Sequence, residues 1–183
     1  MARTTFQGPV RALTGFYAQG PNAVVAISSS TTLNPVDHGG RIISVGGSLA
    51  ATTTLTLPTI NTSTDPSSSG PGQDPNTLNN EGVRYTIWVP TTISTSSLKI
   101  ATTAASGDYF IGTLFGVDTD TSDTLVAYNA LAADTFDFIN LNGSTTGGVA
   151  GTFIEIVAVA ANSYMVTGTV NGSGSVATPF STT

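Results

Sequence analysis

The chain has 183 residues, enough for one domain with arms and a useful core, yet only 9 % of them are charged, against roughly 25 % in an average soluble protein. With 39 % hydrophobic residues and a formal net charge of −6 it has apolar surface to fold with, and its composition excludes wholesale disorder. Five scattered basic residues, Arg3, Arg11, Arg41, Arg84 and Lys99, form no stripe for nucleic acid, and the absence of cysteine excludes disulfides, thiolate metal sites and a cysteine nucleophile.

Taken in chain order, residues 1–22 come first and stand outside any regular rhythm. Gly8-Pro9, Gly15 and Gly20-Pro21 interrupt them, while Phe6, Val10, Leu13, Phe16 and Tyr17 supply spaced apolar anchors. Such a segment reads as an extended N-terminal arm lying along another surface, or as a first edge strand tied to its own domain. Its partner-contact residues are expected to be Arg3, Phe6, Pro9, Arg11 and Phe16. No uninterrupted apolar stretch marks a signal peptide, and none approaches the roughly 20 residues of a membrane-spanning helix, so synthesis in a cytoplasm without membrane contact is expected.

From residue 23 onward, apolar residues alternate with polar ones in short runs bounded by Gly, Pro, Asn and Ser, which is the strand pattern. Strands are expected at Ala23–Ile27, Arg41–Val45, Thr54–Leu57, Arg84–Val89, Leu98–Ala101, Tyr109–Phe115, Leu125–Tyr128, Asp134–Ile139, Thr152–Val159 and Tyr164–Val170. Alternation puts Tyr85, Ile87 and Val89 on one face and Arg84, Thr86 and Trp88 on the other. The best helical candidate, Leu125–Asp134, is short and alanine-rich. Asn142-Gly143 and Gly147-Gly148 offer positive φ between strands, and Asn171-Gly172 does so after the last. No internal repeat is evident. The expected fold is all-β, an antiparallel β-sandwich or jelly-roll-like barrel with an extended N-terminal arm over 1–22 and a single β-rich domain over 23–183.

Residues 61–80, NTSTDPSSSGPGQDPNTLNN, break the rhythm a second time with almost no apolar side chain. They read as a long flexible loop, either contacting a neighbour or present as an insertion without a partner.

Catalytic and metal chemistry finds few carriers. His38 is the single histidine, set in a turn where a solvated or locally hydrogen-bonded ring is expected rather than a base. Asp118, Asp120 and Asp123 resemble the start of a calcium loop, but Asp123 replaces the central glycine and Asn129 the terminal glutamate, so a polar hairpin tip explains them better. Glu155 shares a face with Phe153, Val157 and Val159, which suits a sheet edge or an interface. Trp88 and the tyrosines stack on sugars or pack in the core. No enzyme activity and no cofactor are expected.

The opening Ala2-Arg-Thr-Thr-Phe-Gln-Gly-Pro-Val10 with Gly15-Phe16 resembles the start of small structural proteins of tailed bacteriophages, including marine ones. Thr54-Leu-Thr-Leu-Pro58, Tyr85-Thr-Ile-Trp-Val89, Leu98-Lys-Ile-Ala-Thr102 and Gly107-Asp108 are similar to that family's central strands. Gly148 to Val159, Ser163-Tyr-Met-Val-Thr-Gly168 and the closing Ala177-Thr-Pro-Phe-Ser181 are similar to its C-terminal hairpin and tail. The 61–80 loop and the Asp118 region depart from it. The resemblance implies a head decoration or cement protein on the virion capsid surface, a homotrimer that bridges subunits of the major capsid protein. A tail-associated or fibre-like virion protein adhering to host glycans is the alternative.

Overall fold

β-Branched and aromatic residues at every second position favour a pleated backbone with one buried face, and the chain follows that preference almost throughout. The computed structural model describes residues 20, 22–64, 75–103, 106–120 and 124–182. Among them lie twelve strands: β1 (Val24–Ala26), β2 (Thr31–Thr32), β3 (Ile42–Ser44), β4 (Thr53–Thr56), β5 (Arg84–Trp88), β6 (Leu98–Ala101), β7 (Tyr109–Asp118), β8 (Leu125–Ala130), β9 (Phe138–Leu141), β10 (Phe153–Ala160), β11 (Ser163–Gly172) and β12 (Phe180–Ser181). A one-turn helix α1 (Pro35–His38) and a 3-10 turn (Pro75–Thr77) interrupt them.

The strands form two sheets, one of seven in the order β1-β3-β5-β10-β11-β7-β8 and one of five in the order β12-β9-β6-β4-β2. The all-β sandwich is therefore as expected. Its pairing is mixed rather than antiparallel throughout, because β1, β3 and β5 run parallel, as do β2, β4 and β6, and β7 with β11.

That parallel pairing has a simple origin. Through β6 the chain alternates sheets strand by strand, so β1–β2, β3–β4 and β5–β6 are three successive coils stacked one on the next. Parallel neighbours need a crossover, and here the opposite sheet supplies it. The corners between sheets stack too: Ser48 bridges Ser94 in parallel register, and its Oγ lies 2.7 Å from Thr95 Oγ1. The coils are a repeat hidden from the sequence, because the step from Val24 to its partner Ile42 is short while the step from Ile42 to its partner Thr86 carries the 61–80 insertion.

The C-terminal half closes the sandwich. β10 and β11 form an antiparallel hairpin that inserts between β5 and β7. Its turn is Ala161–Asn162, with Asn162 at φ +62°. Asn171-Gly172, expected as a positive-φ turn after the last strand, lies inside β11 instead, and neither residue has a positive φ. Gly143, Gly147 and Gly148 do adopt positive φ, but they connect β9 in one sheet to β10 in the other and make no hairpin. The Leu125–Asp134 segment is no helix: it pairs with β7 as β8 and then turns, with the Leu131 N–H donating to Asp134 Oδ2 at 2.8 Å. β9 begins later than expected, since Phe136 packs against the core ahead of it.

Between the sheets the inward rows meet in one core that includes Leu33, Ile43, Leu55, Tyr85, Ile87, Ile100, Phe110, Leu114, Ile139, Ile154, Ile156 and Tyr164. The expected faces of β5 hold, with Tyr85 and Ile87 buried and Arg84 and Trp88 outward. The 1–22 arm, apart from Gly20 and Asn22, lies outside the described residues, as does the middle of the 61–80 loop. The neck of that loop is tied: the Asn61 N–H donates to Asn80 Oδ1 at 2.9 Å, and the Asn80 N–H donates to the Asn61 carbonyl at 3.0 Å. The buried Asn80 amide nitrogen completes the neck by donating to the Thr59 carbonyl.

Candidate functional site

Each sheet has an inner face against the other and an outer face, and the two outer faces differ in chemistry. On the five-stranded sheet the outward positions are Thr32, Thr54, Thr56, Lys99, Ala101, Phe138, Asn140 and Ser181. Lys99 caps the one large apolar group there, its Nζ 3.6 Å from the centre of the Phe138 ring, and Asn140 donates to Ser181 Oγ. That face is made for water.

The outer face of the seven-stranded sheet is different. Register carries a central polar row across it: Thr86, Glu155, Thr167, Thr113 and Asn129 stand side by side on β5, β10, β11, β7 and β8. Beside it runs an aromatic row, Trp88, Phe153, Thr169, Phe115 and Ala127. On the other flank come Arg84, Val157, Met165 and Ile111. Of the nine exposed large hydrophobic residues among the described ones, seven, Val24, Ile42, Trp88, Phe115, Leu125, Phe153 and Met165, point from this one face. Exposed large apolar side chains concentrated on one face in this way are a mark of an interaction site.

Charge on the face is limited to one pair among the described strand residues. Arg84 Nη1 lies 3.2 Å from Glu155 Oε2, with the arginine more exposed than the carboxylate. The sheet-edge alternative for Glu155 fails, because β10 is an inner strand with β5 on one side and β11 on the other. The carboxylate sits mid-face, and the neighbouring guanidinium compensates it there.

The remaining sequence candidates resolve into structure. His38 is buried at the end of α1, where its Nδ1 accepts the Asn34 N–H at 3.0 Å; it is locally bonded rather than solvated. Asn34 caps the same turn, its Oδ1 accepting the Asp37 N–H, and Pro35 starts it, so the expected turn is a capped helical one. Asp118 and Asp120 belong to the β7–β8 hairpin tip, and Asp123 lies outside the described residues. Asp118 Oδ1 accepts the Asp120 N–H, and Asp120 Oδ2 accepts the Gly174 N–H at 2.7 Å, so these carboxylates tie the tip to the end of β11. No group of three or more His, Cys, Asp or Glu among the described residues gathers where it could hold a metal ion. The arm residues Arg3, Phe6, Pro9, Arg11 and Phe16 lie outside the described residues.

The outer face itself was half legible. Alternation assigns Trp88 and Glu155 to outward positions, but only the register of distant strands brings Trp88 beside Phe153 and, beyond Thr169, in line with Phe115. Comparison with protein-family models, with curated proteins and with solved structures finds no match for this chain.

Proposed function

We propose that the chain is a non-catalytic decoration, or cement, protein of a tailed-bacteriophage head, made in the host cytoplasm and built into the virion. It acts as a homotrimer that lies on the outer capsid surface and bridges subunits of the major capsid protein. The resemblance of its N-terminal, central and C-terminal blocks to such proteins supports the shell as partner. The observation that carries assembly is the outer face of the seven-stranded sheet, which is apolar, threonine-rich and nearly uncharged, while the opposite face is polar.

Its dimensions fit a protein contact. Seven strands at about 4.8 Å spacing span roughly 29 Å, and the eight residues of β10 extend about 26 Å. The resulting area, roughly 750 Å², is close to the ~800 Å² per partner of a standard interface. Copies of the chain meeting on this face bury Trp88, Phe153 and Phe115, the residue types that concentrate binding energy. Symmetric bridging then multiplies weak contacts to the shell through valency.

Cryo-electron microscopy of the parent virion tests this directly: trimeric density on the outer head surface is expected, and density confined to the tail sinks the reading. A second reading rests on the same aromatic row, since Trp88 at 39 % exposure, with Phe153 beside it, is a platform on which a sugar ring can stack. Glycan-array binding that disappears in Trp88→Ala favours a tail-associated adhesin instead.

A further inference from the structure

A cluster of buried polar side chains lies next to the asparagine neck. Residues 58–60 run from β4 to that neck, and two members of the cluster hold them. The Tyr164 hydroxyl donates to the Pro58 carbonyl, and Asp108 Oδ2 accepts the Ile60 N–H at 3.1 Å. Tyr85 stands close by: it pairs with Ile156 on β10, and Ala158, the next inward residue of that strand, pairs with Tyr164. The two rings therefore flank a small alanine on the inner face. Tyr85 and Asp108 both lie near enough to Tyr164 for their charge to oppose its ionisation.

Two atoms of this cluster, the Tyr85 hydroxyl and Asp108 Oδ1, have no hydrogen-bond partner among the described residues, although the two residues are only 0 % and 3 % exposed. Unpaired polar atoms at such depth are costly and rare in folded proteins, and internal water satisfies them where several polar groups converge. We propose that one buried water molecule joins these groups, accepting the Tyr85 O–H and donating to Asp108 Oδ1 and to the Tyr164 hydroxyl oxygen. Three bonds is the usual complement of an internal water. The Tyr164 O–H is committed to Pro58, which leaves its oxygen to accept. A cation would meet the carboxylate but could not accept the Tyr85 O–H, and no metal-holding group of three or more His, Cys, Asp or Glu forms among the described residues. The water ties β5 and β11 of the seven-stranded sheet to Asp108, and through Asp108 to the segment that leaves β4 of the other sheet.

A crystal structure of the full chain at a resolution that orders water tests the proposal. A water oxygen about 2.8 Å from Tyr85 Oη, Asp108 Oδ1 and Tyr164 Oη is expected. A direct Tyr85–Asp108 hydrogen bond overturns the proposal, as does a cation there, recognised by oxygen contacts of about 2.4 Å. Tyr85→Phe removes only the hydroxyl and gives a second readout, by sign. If water holds the hydroxyl, its loss should speed exchange of the Ile60 amide about tenfold and lower the urea midpoint. The Leu33 amide, bonded to the Thr56 carbonyl at 2.8 Å, should stay protected and report an intact body. Should Leu33 protection fall as well, the crystal structure alone decides. A hydroxyl buried without a partner behaves oppositely, because phenylalanine relieves its desolvation cost, so an unchanged or raised midpoint overturns the proposal.

Discussion

Gly112 stands in the middle of β7 at φ +143°, and a Cβ built on it would lie 1.9 Å from the Val166 carbonyl oxygen of β11. No side chain fits between two parallel strands held that close, so Gly112→Ala must part them; a loss of about 3 kcal/mol is expected, read as a lower urea midpoint. Gly40→Ala is the control, with φ +69° but open space around it, and should cost only about 1 kcal/mol. Gly116 on the same strand leaves room of another kind, because the Tyr128 ring lies over it from β8. The tyrosines also make stability depend on pH. Burial raises the ionisation of Tyr85 and Tyr164 well above the ordinary 10.0, and for Tyr164 the nearby Tyr85 and Asp108 add to it. A raised folded-state value means that the stability is complete below pH ~10 and is lost as pH rises beyond it. Alkaline titration should therefore show tyrosinate absorbance from these residues only together with loss of the β-sheet dichroism. Their ionisation near pH 10 with the sheet signal intact would contradict this.

At the scale of elements, the asparagine neck of the 61–80 loop is the most exposed to a single change. Asn80 is buried, with its amide oxygen accepting from the Asn61 N–H and its amide nitrogen donating to the Thr59 carbonyl. Asn80→Ala leaves both backbone groups without those partners and should cost about 2 kcal/mol in thermal or urea unfolding. Nearly all strands were legible in advance, because strands such as β4 and β5 alternate cleanly between core and surface residues. The two-residue β2 and β12 were not, since two residues carry no period. Pairing direction escaped as well. Asn142-Gly143 has the chemistry of a hairpin turn, yet Gly143 serves a sheet-to-sheet crossing in which its Cα approaches the Ile93 carbonyl. Turn residues declare a local backbone angle and say nothing of which sheet the next strand joins.

For the whole molecule, the asymmetry between the two outer faces organises what can be tested. Replacing Trp88 and Phe153 together by threonine keeps residues that favour strands while removing the aromatic pair. If the proposed trimer forms through this face, light scattering should report a trimer for the unaltered chain and a monomer for the double variant, with the β-sheet dichroism preserved; a trimer that survives places the contact elsewhere. The site was legible only in fragments for a reason of scale. Trp88 and Phe115 are far apart in the chain, and a face is a property of register across β5, β10, β11 and β7, which no single segment contains.

The tied neck of the 61–80 loop also makes the protein a natural carrier. The step from the second coil to the third already accommodates this insertion while β3 and β5 keep their register, so what is spliced between Ser63 and Asn76 is separated from the sandwich by the Asn61–Asn80 clamp. The entropic cost of a loop grows only with the logarithm of its length, and doubling these twenty residues costs about 0.6 kcal/mol. A foreign epitope grafted there should leave the Asn61–Asn80 clamp and the β3–β5 register in place.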